Sequence, residues 1–325
     1  MSAGKAKDSR QSRHGSHRRR KETDTLQPHQ VLTPLTASQA ERLVRMSEEA
    51  VAKRGFTMRY DGAGALVPVG SDGAPVGDGP SAGLMNLART VADLPRQQWR
   101  SAVAAHFDQM TSLNEPPPIP DDLENELYLR LVCAATIDPE MGKGVPEFAP
   151  GVLTVPATYV GRGVAMHFNI DSLGVPREEA TRMGLANLRG IRDEVETVRF
   201  EGAEITLLTG SMFTASRALV FDTVLRESLQ VENPPFGCLV AMPARDMLFV
   251  HVLRDQTMLK ALQLLITTAN RMFSTRPGSV SPHVYYVTGH EWHQVTDYST
   301  GELRLRAIGE LEDAAQRLGV SETAA

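Results

Sequence analysis

Cysteine is scarce, with 2 residues in 325, too few for a fold stapled by disulfides. Cys133 and Cys238 lie far apart, each inside an apolar run. They read as two buried thiols of a protein kept in a reducing compartment, the cytoplasm. No apolar run reaches the ~18 residues that a membrane-spanning helix needs. The basic N-terminus is not followed by an apolar stretch, so no secretory signal is expected. Lysine is rare as well, 6 residues against 28 arginines. Catalytic motifs are missing too. The chain has neither GxxxxGK[ST] nor a well-placed GxGxxG, and no GxSxG nucleophile elbow. Gly161-Arg162-Gly163 sits between apolar segments and reads as a hairpin turn rather than a phosphate loop. The one histidine cluster, His290-Glu291-Trp292-His293, is not HExxH. On a strand its two histidines point to opposite faces and cannot share an ion. The expectation is therefore no metal and no cofactor.

What is present is a globular composition. The chain is 42% apolar and 22% charged, enough to build a sizeable core, and its length suggests about two domains. Charge is placed unevenly. Residues 1–21 carry eight basic side chains and one acid, a net +7, which leaves −12 on the remainder of a chain whose total is −5. The segment 1–35 has little apolar content to offset its ordering entropy and is expected to be a disordered basic tail. Arg18, Arg19, Arg20 and Lys21 could attract phosphate groups, so any nucleic-acid contact is assigned, weakly, to that run. A solubilising extension is the alternative reading. No aromatic is interleaved there to stack on bases.

Periodicity and turn residues predict the following order. A helix starts after Thr36 or Ser38 and ends at Gly55. Strands at 56–60 and 65–69 flank Asp61-Gly62. After a Gly-rich loop at 70–83, a helix over 84–111 is broken or kinked at Pro95. Asn114–Asp122, rich in proline, forms a stiff linker. Beyond it come a strand at 126–134 and apolar segments at 148–155 and 158–170. A helix follows from Pro176 through Arg192, then a strand at 204–208 and a helix over 214–230. Strands at 237–242 and 247–253 are joined by Pro243-Ala244-Arg245-Asp246. Next come a largely apolar helix at 257–273, a hairpin at 284–295 and a helix over about 304–318. Strands arrive in hairpin pairs between helices, without regular βαβ alternation. The fold class is therefore α+β, with antiparallel sheets, packed helices and two subdomains. The expected organisation is a tail at 1–35, a small α+β domain at 36–113, a linker at 114–122, a main body at 123–300 and a C-terminal helix and tail at 301–325.

Few residues point to chemistry. Arg217, Arg245 and Asp246 form a candidate functional surface, because the last two occupy a loop tip and Arg217 opens a helix. An Asp in a tight turn also commonly bonds nearby backbone N–H groups. His167 and His251 each sit alone among apolar residues and read as satisfied core groups rather than bases. Leu259, Leu262, Leu264 and Ile266 lie on a helix whose polar stripe is narrow. They form a candidate interface for a protein partner or a homodimer.

Three segments carry a resemblance. Gly184-Leu-Ala-Asn-Leu-Arg189, Phe213-Thr-Ala-Ser-Arg-Ala-Leu219 and Val240-Ala-Met-Pro-Ala-Arg-Asp-Met-Leu248 resemble, in order and spacing, segments of the YtpQ-like family of bacterial proteins. The likeness spans about residues 123–296, with Thr214 where the family pattern has an acid. It implies no activity, cofactor or catalytic residue. The sequence thus points to a non-catalytic, cytoplasmic protein-interaction or chaperone-like protein. The alternative is a hydrolase or transferase centred on the Pro243–Asp246 turn.

Overall fold

The computed structural model describes residues 27–70, 72–76, 81–109, 118–161 and 163–320. The fold is α+β, and the chain divides into two units, Met1–Asn114 and Glu115–Ala325. Residues 1–26, with the Arg18–Lys21 run, and residues 114–117 of the Pro-rich linker lie outside the described residues. No helix among the described residues is long and apolar enough to cross a membrane.

In the first unit, α1 (Ala37–Ala52) begins with a capping box: the Thr36 hydroxyl accepts from Gln39 N–H, while the Gln39 side chain accepts from Thr36 N–H. Three short strands follow in the order β1 (Met58–Tyr60), β2 (Ala65–Pro68) and β3 (Ala82–Gly83). The single helix expected over 84–111 is two helices, α2 (Met85–Ala92) and α3 (Trp99–Gln109). Pro95 starts the turn between them, and Trp99 Nε1 donates to the Leu94 carbonyl at 3.1 Å.

One expectation fails here. Residues 27–35, read as part of a disordered tail, pack into this unit. Leu32 and Leu35 are fully buried beside Leu43, Leu66, Leu87 and Trp99. The backbone is held locally: Val31 and Leu32 N–H donate to His29 Nδ1, and Pro28 bridges Thr36. Burial of the two leucines offsets part of the ordering cost, together with the local hydrogen bonds and the two prolines, which already restrict the unfolded segment.

The second unit centres on an antiparallel sheet. Among the described residues its strand order is β13-β12-β10-β11-β9-β8. The strands are β8 (Glu194–Phe200), β9 (Ala203–Thr209), β10 (Cys238–Ala241), β11 (Leu248–Val252), β12 (Val284–Thr288) and β13 (Glu291–Gln294). Alternation sends Leu239, Ala241 and Phe249 to one face, and Cys238, Val240, Leu248 and Val250 to the other. The first face is covered by α6 (Met258–Thr275), whose Met258, Ala261, Leu262, Leu265 and Ala269 form a buried stripe, and by Leu311 of α7 (Gly309–Arg317). The second is covered by a helical segment at 215–228 and by Leu131 and Val152 of a smaller sheet. That sheet comprises β4 (Leu127–Cys133), β5 (Glu147–Ala149), β6 (Val152–Val160) and β7 (Gly163–Met166). The 215–228 segment, expected as one α-helix, runs through 3₁₀, α and π turns in succession. The C-terminal helix starts later than expected, because Arg304–Leu305 pairs with Thr296–Asp297 as a two-stranded ladder.

Sequence periodicity did not reveal β8. It is an edge strand that buries neither face: Val195 is 49% exposed and Phe200 39%. Its inner edge pairs with β9 from Glu194↔Thr209 to Phe200↔Ala203.

A single turn, α4 (Leu123–Glu126), precedes β4, and α5 (Arg177–Gly190) lies against that strand. The approach is set by Gly184, where an added Cβ would come 2.6 Å from Leu129 Cγ and 3.0 Å from Leu129 N. Helix propensity alone predicts that Gly184→Ala stabilises by up to about 1 kcal/mol. The contact reverses the sign, and the expected outcome in urea unfolding is a loss of about 1–3 kcal/mol. Gly190→Ala, with nothing within 4 Å of its Cβ position, should be neutral or stabilising. Leu35→Ala should cost about 2–5 kcal/mol by the same measurement; an unchanged midpoint would mean that residues 27–35 do not belong to the core.

Candidate functional site

The turn between β10 and β11 is gripped from both sides. Arg245 N–H donates to the Gly278 carbonyl at 2.8 Å, and Ala215 N–H donates to the Arg245 carbonyl at 3.1 Å. Met247 N–H closes the turn onto the Ala244 carbonyl. Gly278, at φ +72°, lies under the Arg245 stem; a Cβ there would meet Arg245 Cδ at 2.5 Å. Only glycine fits both the backbone and the contact. Asp246 accepts from Arg276 Nη2, just past α6, at 3.2 Å.

A further arginine reaches this region from β4. Leu131 N–H donates to Ser216 Oγ at 2.9 Å, which fastens β4 to the segment that also holds Arg245. Arg130, next to Leu131, is 7% exposed. Burial pushes its guanidinium down to about 10, and the neighbouring Arg245 adds repulsion, while Tyr159 and Asp246 pull the other way. Arg245 is likewise lowered, first by burial and then by Arg276, with Asp246 opposing. The structure thus adds Arg276 to the expected pair Arg245 and Asp246 by direct contact. An arginine inside the run Leu-Tyr-Leu-Arg-Leu-Val-Cys was the available sequence signal for Arg130.

Arg217 does not join them. Its side chain is 1% exposed and forms an ion pair with Asp193, whose side chain is 0% exposed. Arg217 Nη1 also donates to Ser228 Oγ at 3.1 Å, and the Thr214 hydroxyl donates to Asp193 Oδ1 at 3.0 Å. Burial pushes the Asp193 carboxyl up, and Arg217 and Thr214 pull it back. Thr214, standing where the resembling family has an acid, is thus a hydroxyl donor to a buried carboxylate.

The histidines are dispersed as well. His167 Nε2 bonds Thr158 Oγ1 at 2.9 Å, and His283 Nδ1 lies 3.3 Å from Thr296 Oγ1 and from Gln294 Nε2. His251 Nδ1 lies 2.6 Å from the Glu204 carbonyl. A carbonyl only accepts, so Nδ1 carries the proton and Nε2 keeps its lone pair. His251 lines a cavity of about 270 Å³ with Arg199, Glu204, Thr206, Arg254 and Asp255. Its Nε2 is buried without a hydrogen-bond partner. A second cavity, about 460 Å³, is lined in part by Asp222, Arg226, Cys238 and His290. The Cys238 thiol is pushed up to about 12 by burial, which makes it a poor nucleophile.

His293 on β13 is grouped with Glu291 and with Glu310 of α7, not with His290; the three offer ligand atoms within 4.8 Å of one another. His293 Nε2 lies 3.3 Å from Glu291 and 3.5 Å from Glu310. Glu291 and His293 share a face because they are two apart on a strand. Both glutamates are exposed. The candidate interface residues also separate: Leu259 is 46% exposed, Leu264 and Ile266 are half-buried, and Leu262 belongs to the core under the sheet.

Compared with known proteins, the chain matches no protein-family model, no curated protein and no solved structure.

Two predictions follow from the buried groups. Asp193→Asn or Arg217→Met alone should destabilise by about 3–5 kcal/mol, because each leaves a buried charge unpaired. The double variant should lose less than the sum, so a double-mutant cycle in urea should show strong coupling; strict additivity would mean the pair is not a unit. Burial also lowers His167, His251 and His283 below the ordinary 6.5. The unfolded chain then takes up protons first as pH falls. The stabilisation is full above about pH 6.5 and is lost progressively below it. Urea midpoints recorded from pH 8 to 5 should fall below 6.5, and His251→Gln should flatten the slope.

Proposed function

We propose that the chain acts by binding rather than by catalysis. In this reading it is a cytoplasmic, chaperone-like interaction protein that docks onto a second copy of itself through the outer edge of β8. The carrying observation is β8: seven residues with neither face buried, no proline to break the edge, exposed charges of both signs (Glu194, Glu196, Arg199) that a two-fold copy can pair, and apolar Val195 and Phe200 in water. Such an edge is a template for another strand. The simplest closed solution is a two-fold pairing of the same edge. The first turn of α6 adjoins the β8–β9 turn through a Lys260–Glu201 ion pair at 2.6 Å, so exposed Leu259 lies near the same end.

Dispersal of the reactive groups supports the same reading. Arg217 is occupied by Asp193, Asp246 by Arg276, and the hydrogen-bonded histidines by groups away from the turn. A hydrolase or transferase at the Pro243–Asp246 turn needs a nucleophile and a base within reach of each other. The YtpQ-like resemblance belongs to this proposal. The residues that carry it have well-defined bonds: Asn187 Nδ2 donates to the Glu124 and Leu127 carbonyls, Arg217 holds Asp193 and Asp246 holds Arg276.

Light scattering and sedimentation test the reading. The wild type should show a concentration-dependent dimer. Val195→Lys combined with Thr197→Lys, both at exposed positions, should leave stability within about 0.5 kcal/mol and yield a monomer. A wild type that stays monomeric at every concentration would overturn the homotypic docking. A dimer that survives the lysines but not Leu259→Glu would move the interface to α6.

A further inference from the structure

His293 faces two carboxylates and bonds to neither. Its Nε2 lies 3.3 Å from a Glu291 oxygen and 3.5 Å from a Glu310 oxygen, and the three groups offer ligand atoms within 4.8 Å of one another. Nε2 is nonetheless buried without a hydrogen-bond partner. An imidazolium recruited as a counter-charge would aim an N–H at one of the carboxylates. Among the described residues, neither glutamate has a lysine or arginine within ion-pair distance. Two carboxylates and an imidazole nitrogen thus converge with no cation among them and no hydrogen bond joining nitrogen to oxygen.

The separations match those of donors around a metal ion. Donors held 2.0–2.2 Å from one cation in tetrahedral geometry stand about 3.3–3.6 Å apart. Both nitrogen–oxygen distances fall in that interval. The donors also sit on rigid elements, as a preformed site requires. Glu291 and His293 are two apart on β13 and share a face. His293 stacks on the ring of its register partner Tyr286, at 6.2 Å between centroids and 27° between planes. Tyr286 is itself buried, and its hydroxyl donates to the Phe236 carbonyl. Glu310 is positioned by its neighbour Leu311, which is buried with Ala314 and anchors α7. The dipole of α7 favours acids in its first turn, where Glu312 also lies. It does not account for Glu310 lying against His293.

We propose that Glu291, His293 and Glu310 bind a divalent transition ion of the zinc type, with water in the remaining coordination positions. The imidazole donor favours such an ion over magnesium or calcium, which take oxygen ligands. Two carboxylates balance its charge. The glutamate side chains are 70% and 57% exposed, so the ion enters from solvent. His290 takes no part and lines the second cavity instead. Alternation along β13 rules out an ion shared by His290 and His293; the third donor comes from a later helix that no spacing rule connects to the strand. Bound there, the ion ties the start of α7 to the sheet. β13 is the opposite edge of that sheet from β8, so the site stands independently of the docking proposal.

Calorimetric titration of the full chain, stripped with EDTA and dialysed, tests the site, with zinc compared against magnesium and calcium. One zinc should bind per chain. It should raise the thermal midpoint saturably, by roughly 5 °C or more at a hundredfold excess over the dissociation constant. Magnesium and calcium should not. Glu291→Gln, Glu310→Gln and His293→Gln should each weaken zinc binding at least tenfold. Both glutamates are exposed, so their variants should keep the fold in zinc-free buffer and decide the matter if His293→Gln does not fold. His290→Gln should bind zinc as the wild type does. The proposal is overturned if zinc binding is absent or does not saturate, or if calcium equals zinc. It is equally overturned if the glutamate variants bind zinc as tightly as the wild type, or if His290→Gln loses as much as His293→Gln.

Discussion

The Arg217–Asp193 pair is the constraint on which the second unit's architecture turns. Both side chains are sealed from water, and the carboxylate is held from the other side by Thr214. Asp193 sits just before β8, and Arg217 sits in the 215–228 segment on the inner face of the main sheet. Joining them fixes where that segment starts relative to the strands. A buried pair of this kind is weak evidence of net stability, because desolvation offsets most of the attraction. Its effect is to specify position: any other placement of the segment would strand one charge in the interior.

Other features follow from that position. With the segment in place, Ser216 captures the β4 backbone and Ala215 captures the β10–β11 turn. The cost is a helix that cannot be regular. Its turns pass from 3₁₀ to α to π, because Arg217 must reach Asp193 while Ala218, Phe221 and Val224 reach the sheet. Mixed turns of this kind often mark sites where side chains are aimed for a purpose other than helix stability.

Elements with a strong local pattern were legible in the chain. The capping box at Thr36, the hairpin around Gly289, the β6–β7 turn at Gly161 and the break at Pro95 all have local causes, namely a cap, a positive φ or a missing N–H. The α6 stripe at Met258, Ala261, Leu262 and Leu265 was written in its spacing, although the wide apolar composition hid which side faces water. Residues 27–35 were illegible for a different reason. Their polar, Pro-containing composition resembles a linker, and only the burial of Leu32 and Leu35 against elements far along the chain makes them part of a core.

The sequence by itself determined the class of fold and the order of most hairpins and helices, β8 apart. These follow from local propensity and from alternation, which act over a few residues. It did not determine which charges meet. Arg130 reads as an oddity in an apolar strand, Arg245 as a loop tip and Arg217 as a helix opener, and nothing local distinguishes a paired arginine from an unpaired one. Only the tertiary structure brought Arg217 to Asp193 and Arg276 to Asp246. The energy of a buried charge depends on what lies within a few ångströms in space, and those neighbours come from strands and turns scattered along the second unit.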